Sequence, residues 1–158
     1  MSPPGHATAA KFREIWIINV YAPSGMAMKQ EREHLFNSYL LTGEMGHILL
    51  GGDFSCILEA SDTTGGFTYS RELEELVHGL ALTDTWQGNP THKVYTQYSE
   101  SGATRIGRIY ATRELLERKL GVEAIVAQFT DHLAYVYEYQ LTYQLCGGDA
   151  GYGKWTAL

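Results

Sequence analysis

The sequence lacks the marks of secreted and membrane-spanning proteins. Its 158 residues include two cysteines, Cys56 and Cys146, which lie far apart and without the spacing of a metal site. This pattern favours two free thiols in a reducing compartment over a disulfide. No apolar run approaches the roughly 20 residues of a membrane span, and residues 1–10 contain no apolar core of a secretory signal. We therefore expect an intracellular protein, nuclear or cytoplasmic, that is not secreted and has no membrane partner.

The sequence also has few basic residues. It contains 12 lysines and arginines against 18 aspartates and glutamates, a formal net charge of −6. General nucleic-acid binders draw much of their affinity from basic side chains that neutralise phosphates, so this balance argues against that class. One stretch is nevertheless basic, and it contains Arg105, Arg108, Arg113, Arg118 and Lys119. Either Arg105, Arg108 and Arg113 contact DNA, or the stretch is a solvated helix face on which Glu114 pairs with Arg118.

Strand and helix patterns alternate along the chain. Runs rich in β-branched and aromatic residues predict strands over 15–21, 47–50, 94–98, 105–111, 122–129 and 133–141. Apolar residues at helical spacing predict helices over 28–41, from Ser70 to Leu80, and from Thr112 to about Leu120, with Ser70 and Thr112 as caps. Alternation of this kind indicates a layered α/β or α+β fold.

The pattern also divides the chain into a domain and two tails. Residues 15–141 hold all the predicted strands and helices, so we expect them to form the folded domain. Residues 1–14 are predicted to be a disordered tail. Residues 142–158 contain Gly147, Gly148, Gly151 and Gly153, so an irregular C-terminal tail is expected there.

Two motifs point to chemistry at strand ends. Asp53 follows the apolar run 47–50 through two glycines, which let the backbone turn tightly where a carboxylate can face a ligand. Asp131 and His132 stand between the last two predicted strands. Together these groups could hold a divalent cation, orient water and stabilise an oxyanion. Taken alone, an aspartate after two glycines is more typical of a turn.

The order of the motifs closely resembles the endonuclease/exonuclease/phosphatase superfamily, and within it the endonuclease domain of LINE-type (non-LTR) retrotransposons. The resemblance extends from about residue 16 to about residue 140. The motifs that carry it are, in chain order, Ile18-Asn19-Val20-Tyr21-Ala22-Pro23, Gly51-Gly52-Asp53-Phe54-Ser55-Cys56-Ile57-Leu58, Asp62-Thr63-Thr64-Gly65, Asp84-Thr85-Trp86, Tyr95-Thr96, Thr104-Arg105-Ile106-Gly107-Arg108-Ile109-Tyr110 and Thr130-Asp131-His132. The resemblance implies a DNase I-like sandwich of two sheets flanked by helices, here a partial one that lacks its N-terminal half.

The resemblance also implies roles for individual residues. Asp53 would position or activate the water that attacks phosphorus, and Tyr21 would contact the phosphate. Asp131 would contribute with Asp53 to a Mg²⁺ site, and His132 would stabilise charge on the reacting phosphate. Ser55 stands where the family has an asparagine that assists the aspartate. The implied substrate is DNA.

Two substitutions weaken this set of groups. Ser55 replaces an amide with a hydroxyl of shorter reach, which cannot present a carbonyl and an NH₂ together. Gly107 stands where the family has the aspartate that orients the histidine, so His132 loses that support. In serine proteases, replacing the orienting aspartate lowers kcat by about 10⁴.

Three functions follow from these observations. The chain is an active Mg²⁺-dependent DNA endonuclease, a degenerate fragment of one without hydrolytic power, or a binding module that uses the basic stretch. The substitutions and the absence of the family's asparagine and glutamate motifs favour the degenerate fragment. Such a fragment should expose apolar surface where the first half packs, and self-association through that surface is expected.

Overall fold

The structure is a computed structural model that describes residues 6–40, 46–66, 68–87, 94–126, 132–141 and 151–157. Its strands are β1 His6–Phe12, β2 Ile15–Tyr21, β3 His47–Asp53, β4 Leu82–Asp84, β5 Gln97–Ser99, β6 Gly102–Thr104, β7 Gly107–Thr112, β8 Lys119–Val126, β9 Leu133–Leu141 and β10 Gly151–Ala157. Its α-helices are α1 Lys29–Leu40, α2 Arg71–Gly79 and α3 Arg113–Glu117, and single 3₁₀ turns cover Met26–Met28 and Ala60–Asp62.

The strands form two larger sheets and a hairpin. The first sheet has the order β1-β2-β3-β7-β4, and the second has the order β10-β9-β8. Strands β2 and β3 are parallel and are connected through α1, whereas the other neighbours in both sheets are antiparallel. Strands β5 and β6 form the separate hairpin. Parallel neighbours need a crossover of this kind, which places a helix on one face of the sheet.

Both faces of the first sheet are covered. On one face, Leu49, Ile109 and Ala111 pack with tyrosines of β9, so the two sheets form a sandwich. On the other face, alternate residues of β2 and β3 pack against Phe36 of α1 and against Leu73 and Leu76 of α2. Burial on both faces explains the uninterrupted apolar run Ile48-Leu49-Leu50 in β3. The predicted layered fold, with two sheets packed face to face and helices on the outer face of the first, is confirmed.

Most of the predicted elements lie where the sequence placed them. Strands β2 and β9 have the predicted bounds, and α1 begins and ends within one residue of the predicted helix. Ser70 caps α2 as predicted, because its side chain accepts a hydrogen bond from the backbone nitrogen of Leu73. The end of the strand predicted over 122–129 lies outside the described residues.

Parts of both segments that were predicted to be tails are strands. Residues 6–12 form β1, which pairs with β2 along its whole length, and residues 151–157 form β10, which pairs with β9. The local residues give little indication of either strand, since one is rich in alanine and the other contains two glycines. Pairing with an existing strand edge supplies the backbone hydrogen bonds that the local sequence does not encode.

Thr112 is not the predicted side-chain cap. It stands immediately before α3, but its hydroxyl accepts no bond from that helix. The hydroxyl instead accepts a hydrogen bond from the backbone nitrogen of Ile48, 3.2 Å away in the neighbouring strand β3. Thr112 therefore connects strands rather than starting a helix. No helix of the described ranges is long and apolar enough to cross a membrane.

We expect Phe36→Ala to lower the free energy of unfolding by about 3–5 kcal/mol, the usual loss for a buried phenylalanine. Phe36 is 1% exposed, and its ring packs against that of Phe54 with 6.1 Å between centroids. The control is Phe12→Ala, at a ring that is 48% exposed, which should change stability by less than about 1 kcal/mol. Urea unfolding measures both, and equal losses would contradict this account of the core.

Candidate functional site

Three residues of the candidate site stand side by side at one end of the first sheet. Tyr21 is level with Asp53 across the parallel pair of β2 and β3, and Asp53 is opposite Gly107 across the antiparallel pair of β3 and β7. Residues in register on neighbouring strands direct their side chains to the same face of a sheet. Tyr21 and Asp53 therefore share a face, and the third place in the row has no side chain.

Gly52 allows this arrangement at the end of β3. Its φ is +136°, and a Cβ built on it would lie 1.9 Å from the carbonyl oxygen of Val20. Only glycine combines that backbone conformation with so close an approach of the neighbouring strand. The sequence predicted a tight turn at the glycines, whereas Gly52 lies within β3 and is required by its positive φ and by the close approach of β2.

Asp53 is held by Ser55. Its Oδ1 accepts hydrogen bonds from the backbone nitrogen of Ser55 at 2.8 Å and lies 3.2 Å from the Ser55 hydroxyl. That hydroxyl is also 2.9 Å from the carbonyl oxygen of Ala22, and its single proton can serve one acceptor at a time. Ser55 has a φ of +50°, a left-handed conformation that asparagine adopts more readily than serine. The backbone thus suits the asparagine that the family has here.

His132 lies in the site and immediately precedes β9 of the second sheet. Its Nδ1 lies 3.9 Å from Oδ2 of Asp53, an ion-pair distance when the ring is protonated. A backbone bridge between His132 and Gln97, together with a bond from the Leu133 nitrogen to the Thr96 oxygen, fixes its position. The structure therefore brings Tyr21, Asp53, Ser55 and His132 together. Asp131, the other predicted catalytic and metal-binding residue, lies outside the described residues.

Thr96 is a site neighbour that was quoted in a motif but given no role. Its buried hydroxyl accepts hydrogen bonds from the backbone nitrogens of Ile106 at 3.0 Å and Gly107 at 2.8 Å. A Cβ added at Gly107 would lie 3.3 Å from that hydroxyl oxygen, so a side chain at 107 requires a shift of a few tenths of an ångström. The sequence did not predict that Thr96 lies beside His132, because an isolated Tyr-Thr pair has no distinctive chemistry.

Burial raises the pKa of Asp53 above its ordinary value of 3.8. The hydrogen bond from the Ser55 backbone and the nearby His132 oppose this shift without cancelling it. Since the side chain is only about a tenth exposed, its charge is costly to the folded state. The ionised Asp53 side chain therefore lowers the stability of the folded protein. Such a cost is expected of a site residue and not of a residue that only forms a turn.

Two of the three arginines that were predicted to contact DNA are inside the protein. Arg105 and Arg108 are 3% and 1% exposed. Arg105 binds Asp84 through two nitrogens, at 2.6 and 2.8 Å, and Arg108 binds Asp62 at 2.8 Å. Their charges are satisfied within the fold, so the prediction for these two residues is corrected to a structural role.

Arg113 is the exception in that predicted stretch. It is exposed on α3, and its Nε is 3.1 Å from Glu117 one turn later. This is the kind of surface pair that the alternative interpretation of the basic stretch expected, although between different residues. Exposed pairs of this geometry stabilise a helix by only a few tenths of a kcal/mol. A DNA contact at Arg113 stays a prediction.

The described residues supply one part of a site for the Mg²⁺ ion that the resemblance implied, because the other predicted ligand, Asp131, lies outside them. They contain no group of three or more histidines, cysteines, aspartates and glutamates placed to hold a metal ion. At the candidate site, Asp53 offers one carboxylate, of which Oδ1 is bonded by Ser55 and Oδ2 faces His132. Magnesium requires near-octahedral oxygen ligands and is usually bound through one or two carboxylates together with waters and substrate phosphates, so Asp53 alone would be a partial site.

Comparison with known proteins finds a relative in a transposon. No protein-family model matches the chain. The chain is 30% identical over 128 residues to the transposon TX1 uncharacterized 149 kDa protein of Xenopus laevis, a match that covers 73% of this chain and 10% of that protein. The chain thus spans about a tenth of the relative's length.

Solved nuclease structures share the fold. An AP endonuclease from Archaeoglobus fulgidus superposes with a TM-score of 0.62 and 21% identity, over 79% of this chain and 61% of that one. The 3′ phosphatase NExo from Neisseria, bound to product DNA hairpin, superposes with a TM-score of 0.67 and 17% identity, over 88% and 71%. The chain therefore has part of the endonuclease/exonuclease/phosphatase fold. The predicted resemblance is confirmed, and the match to a transposon protein is consistent with its LINE-type part.

We expect Asp53→Asn to raise the thermal midpoint at neutral pH by a few degrees. Asparagine keeps the acceptor for the Ser55 backbone while it removes a charge whose burial is unfavourable. Because the folded pKa of Asp53 is raised, its ionised form destabilises the native state above that pKa. The penalty disappears as pH falls through the folded pKa to 3.8. The stabilisation by Asp53→Asn should therefore shrink over the same range.

The matched control is Asp62→Asn, at an aspartate that is buried but paired with Arg108. Breaking a buried pair of this kind costs about 3–5 kcal/mol, so this variant should be strongly destabilised. Calorimetry across acidic and neutral pH measures both variants. A lower midpoint for Asp53→Asn at neutral pH would show that the carboxylate stabilises the fold.

Proposed function

We propose that the chain is a degenerate fragment of the Mg²⁺-dependent DNA endonuclease of a retrotransposon, a pseudoenzyme that does not cleave phosphodiester bonds as it stands. One observation carries the proposal. Tyr21, Asp53 and His132 are assembled around one strand end, whereas the position level with Asp53 on β7 is Gly107. The fold shared with nucleases and the match to a transposon protein support the origin.

The missing carboxylate changes what Asp53 can do. Hydrolysis in this family needs one acidic group to position or activate water and another to orient the histidine. Here Oδ2 of Asp53 is 3.9 Å from Nδ1 of His132, so the same carboxylate faces the imidazole. We infer that Asp53 has taken over the orienting function of the absent aspartate. A carboxylate held between Ser55 and His132 is poorly placed to take a proton from water.

DNA binding and self-association have less support than the proposed origin. DNA is the partner that the resemblance implies, but two of the three predicted DNA-contacting arginines are buried. Self-association is a more specific expectation, because Leu120, Ile125 and Val126 of β8 are 58%, 43% and 80% exposed. Exposed apolar residues on one strand favour association with another apolar surface. Size-exclusion chromatography at micromolar concentration should show oligomers, and a monodisperse monomer would contradict this part of the proposal.

We expect no nicking of supercoiled plasmid by the purified chain with Mg²⁺ or Mn²⁺. The double change Ser55→Asn with Gly107→Asp should leave the fragment inactive, because the glutamate motif of the family is still missing. Joining the first half of a retrotransposon endonuclease in frame, together with both changes, should give cleavage. The first half without these changes should give a folded but very slow enzyme, because groups that act as one unit do not contribute additively.

The chain itself provides the decisive outcome. Metal-dependent nicking by the purified fragment that is lost on Asp53→Ala would overturn the proposal, since it would show that the groups now present suffice for hydrolysis. Nicking that persists in Asp53→Ala would instead indicate a contaminating nuclease.

A further inference from the structure

Arg32 is a buried cation with an unusual set of partners. It lies in α1 and is 1% exposed. Its Nη1 donates to the carbonyl oxygens of Pro23 at 2.8 Å and Gly25 at 3.4 Å. Its Nε is buried and has no hydrogen-bond partner within the described ranges. Among the described residues, this guanidinium binds backbone carbonyls and no carboxylate.

The contrast with the other buried arginines is informative. Arg105 and Arg108 each bind an aspartate within 2.8 Å, so their charges are compensated. A buried charge without an ionic partner is generally unfavourable compared with an apolar residue of similar size. An apolar residue at position 32 would therefore be expected to stabilise the fold at least as well as arginine. The arginine is better explained by the hydrogen bonds that it donates.

Arg32 acts on the backbone that follows Tyr21. Pro23, whose carbonyl it binds, is two residues beyond Tyr21, and Ala22 between them is fully buried. The nitrogen of Ala22 donates to the backbone oxygen of Asp53 at 2.8 Å, and its carbonyl lies 2.9 Å from the Ser55 hydroxyl. Segment 21–23 is therefore joined to the Asp53–Ser55 turn on one side and to Arg32 on the other.

The same helix reaches the second half of the site. Phe36 is one turn after Arg32 in α1, and its ring packs against Phe54, the residue between Asp53 and Ser55. One helix thus contacts both strand ends, through an apolar ring at β3 and through a hydrogen-bond donor at β2. The ring contact adds to the hydrophobic core. The hydrogen bond from the guanidinium is directional and therefore fixes where the Pro23 carbonyl lies.

We propose that Arg32 is a positioning residue of the candidate site. By binding the Pro23 carbonyl, it holds segment 21–23 against the Asp53–Ser55 turn and so keeps Tyr21 and Ser55 in place beside Asp53. The proposal rests on the proposed function only in taking this strand end as the site. Its test does not depend on cleavage.

The test is Arg32→Met, which keeps a long unbranched side chain and removes the charge and the donors. We expect the thermal midpoint to stay the same or rise, because a buried unpaired charge is lost. Amide hydrogen exchange at Ala22 and Ser55 should accelerate about tenfold, the change produced by losing one hydrogen bond of about 1.4 kcal/mol. Arg32→Lys, which keeps a donor, should restore part of the protection. Arg71→Met, at an exposed arginine of α2, should change neither quantity.

Separate results would overturn the proposal. A lower midpoint or an unfolded Arg32→Met chain would show that Arg32 is required for stability, and unchanged exchange at Ala22 and Ser55 would show that it does not hold the segment. Protection in Arg32→Lys no better than in Arg32→Met would assign the effect to side-chain shape. Plasmid nicking by the wild-type chain would refute the proposed function without altering any of these results.

Discussion

Two buried arginine–aspartate pairs hold together the part of the fold that carries the site. Arg108 binds Asp62 and, through its other nitrogen, the carbonyl of Cys56, directly after the Asp53–Ser55 turn. Arg105 binds Asp84 at the end of β4 and the hydroxyl of Tyr135 in the second sheet. Each charge is acceptable inside the protein only because its partner is present. The loops after β3, the start of β7 and the contact between the sheets therefore depend on one another.

The candidate site lies next to these two ion pairs, but its carboxylate is paired differently. Asp62 and Asp84 each form a close ion pair with an arginine, whereas the contacts of Asp53 within the described part of the chain are hydrogen bonds from Ser55 and a histidine 3.9 Å away. Burial accordingly raises the pKa of Asp53. Arg32 is a further buried charge near these strand ends, and it donates to the carbonyl oxygens of Pro23 and Gly25. Asp53 and Arg32 are thus buried charged residues near the strand ends without a close ion-pair partner among the described residues. Functional sites often hold charged groups of this kind.

The sequence was sufficient for features that depend on local pattern or on chain order. Local pattern predicted the strand at 15–21 and the Ser70 cap. The resemblance predicted that Tyr21, Asp53 and His132 lie together. Features that depend on distant partners were missed. Arg105 was taken for a surface residue because its partner Asp84 is 21 residues away, and Arg108 because Asp62 is 46 residues away. Strands β1 and β10 form by pairing with other strands, which their own residues do not indicate.

The central claim is that Asp53 faces His132 because position 107 has no carboxylate. Crystal structures of the wild-type chain and of Gly107→Asp test it most directly. We expect Nδ1 of His132 within about 4 Å of Asp53 in the wild type, the range of an ion pair. In the variant, the imidazole should turn to the new carboxylate at 107 and leave Asp53 to Ser55 alone. A histidine that stays on Asp53 in the variant, or that does not contact Asp53 in the wild type, would contradict the account.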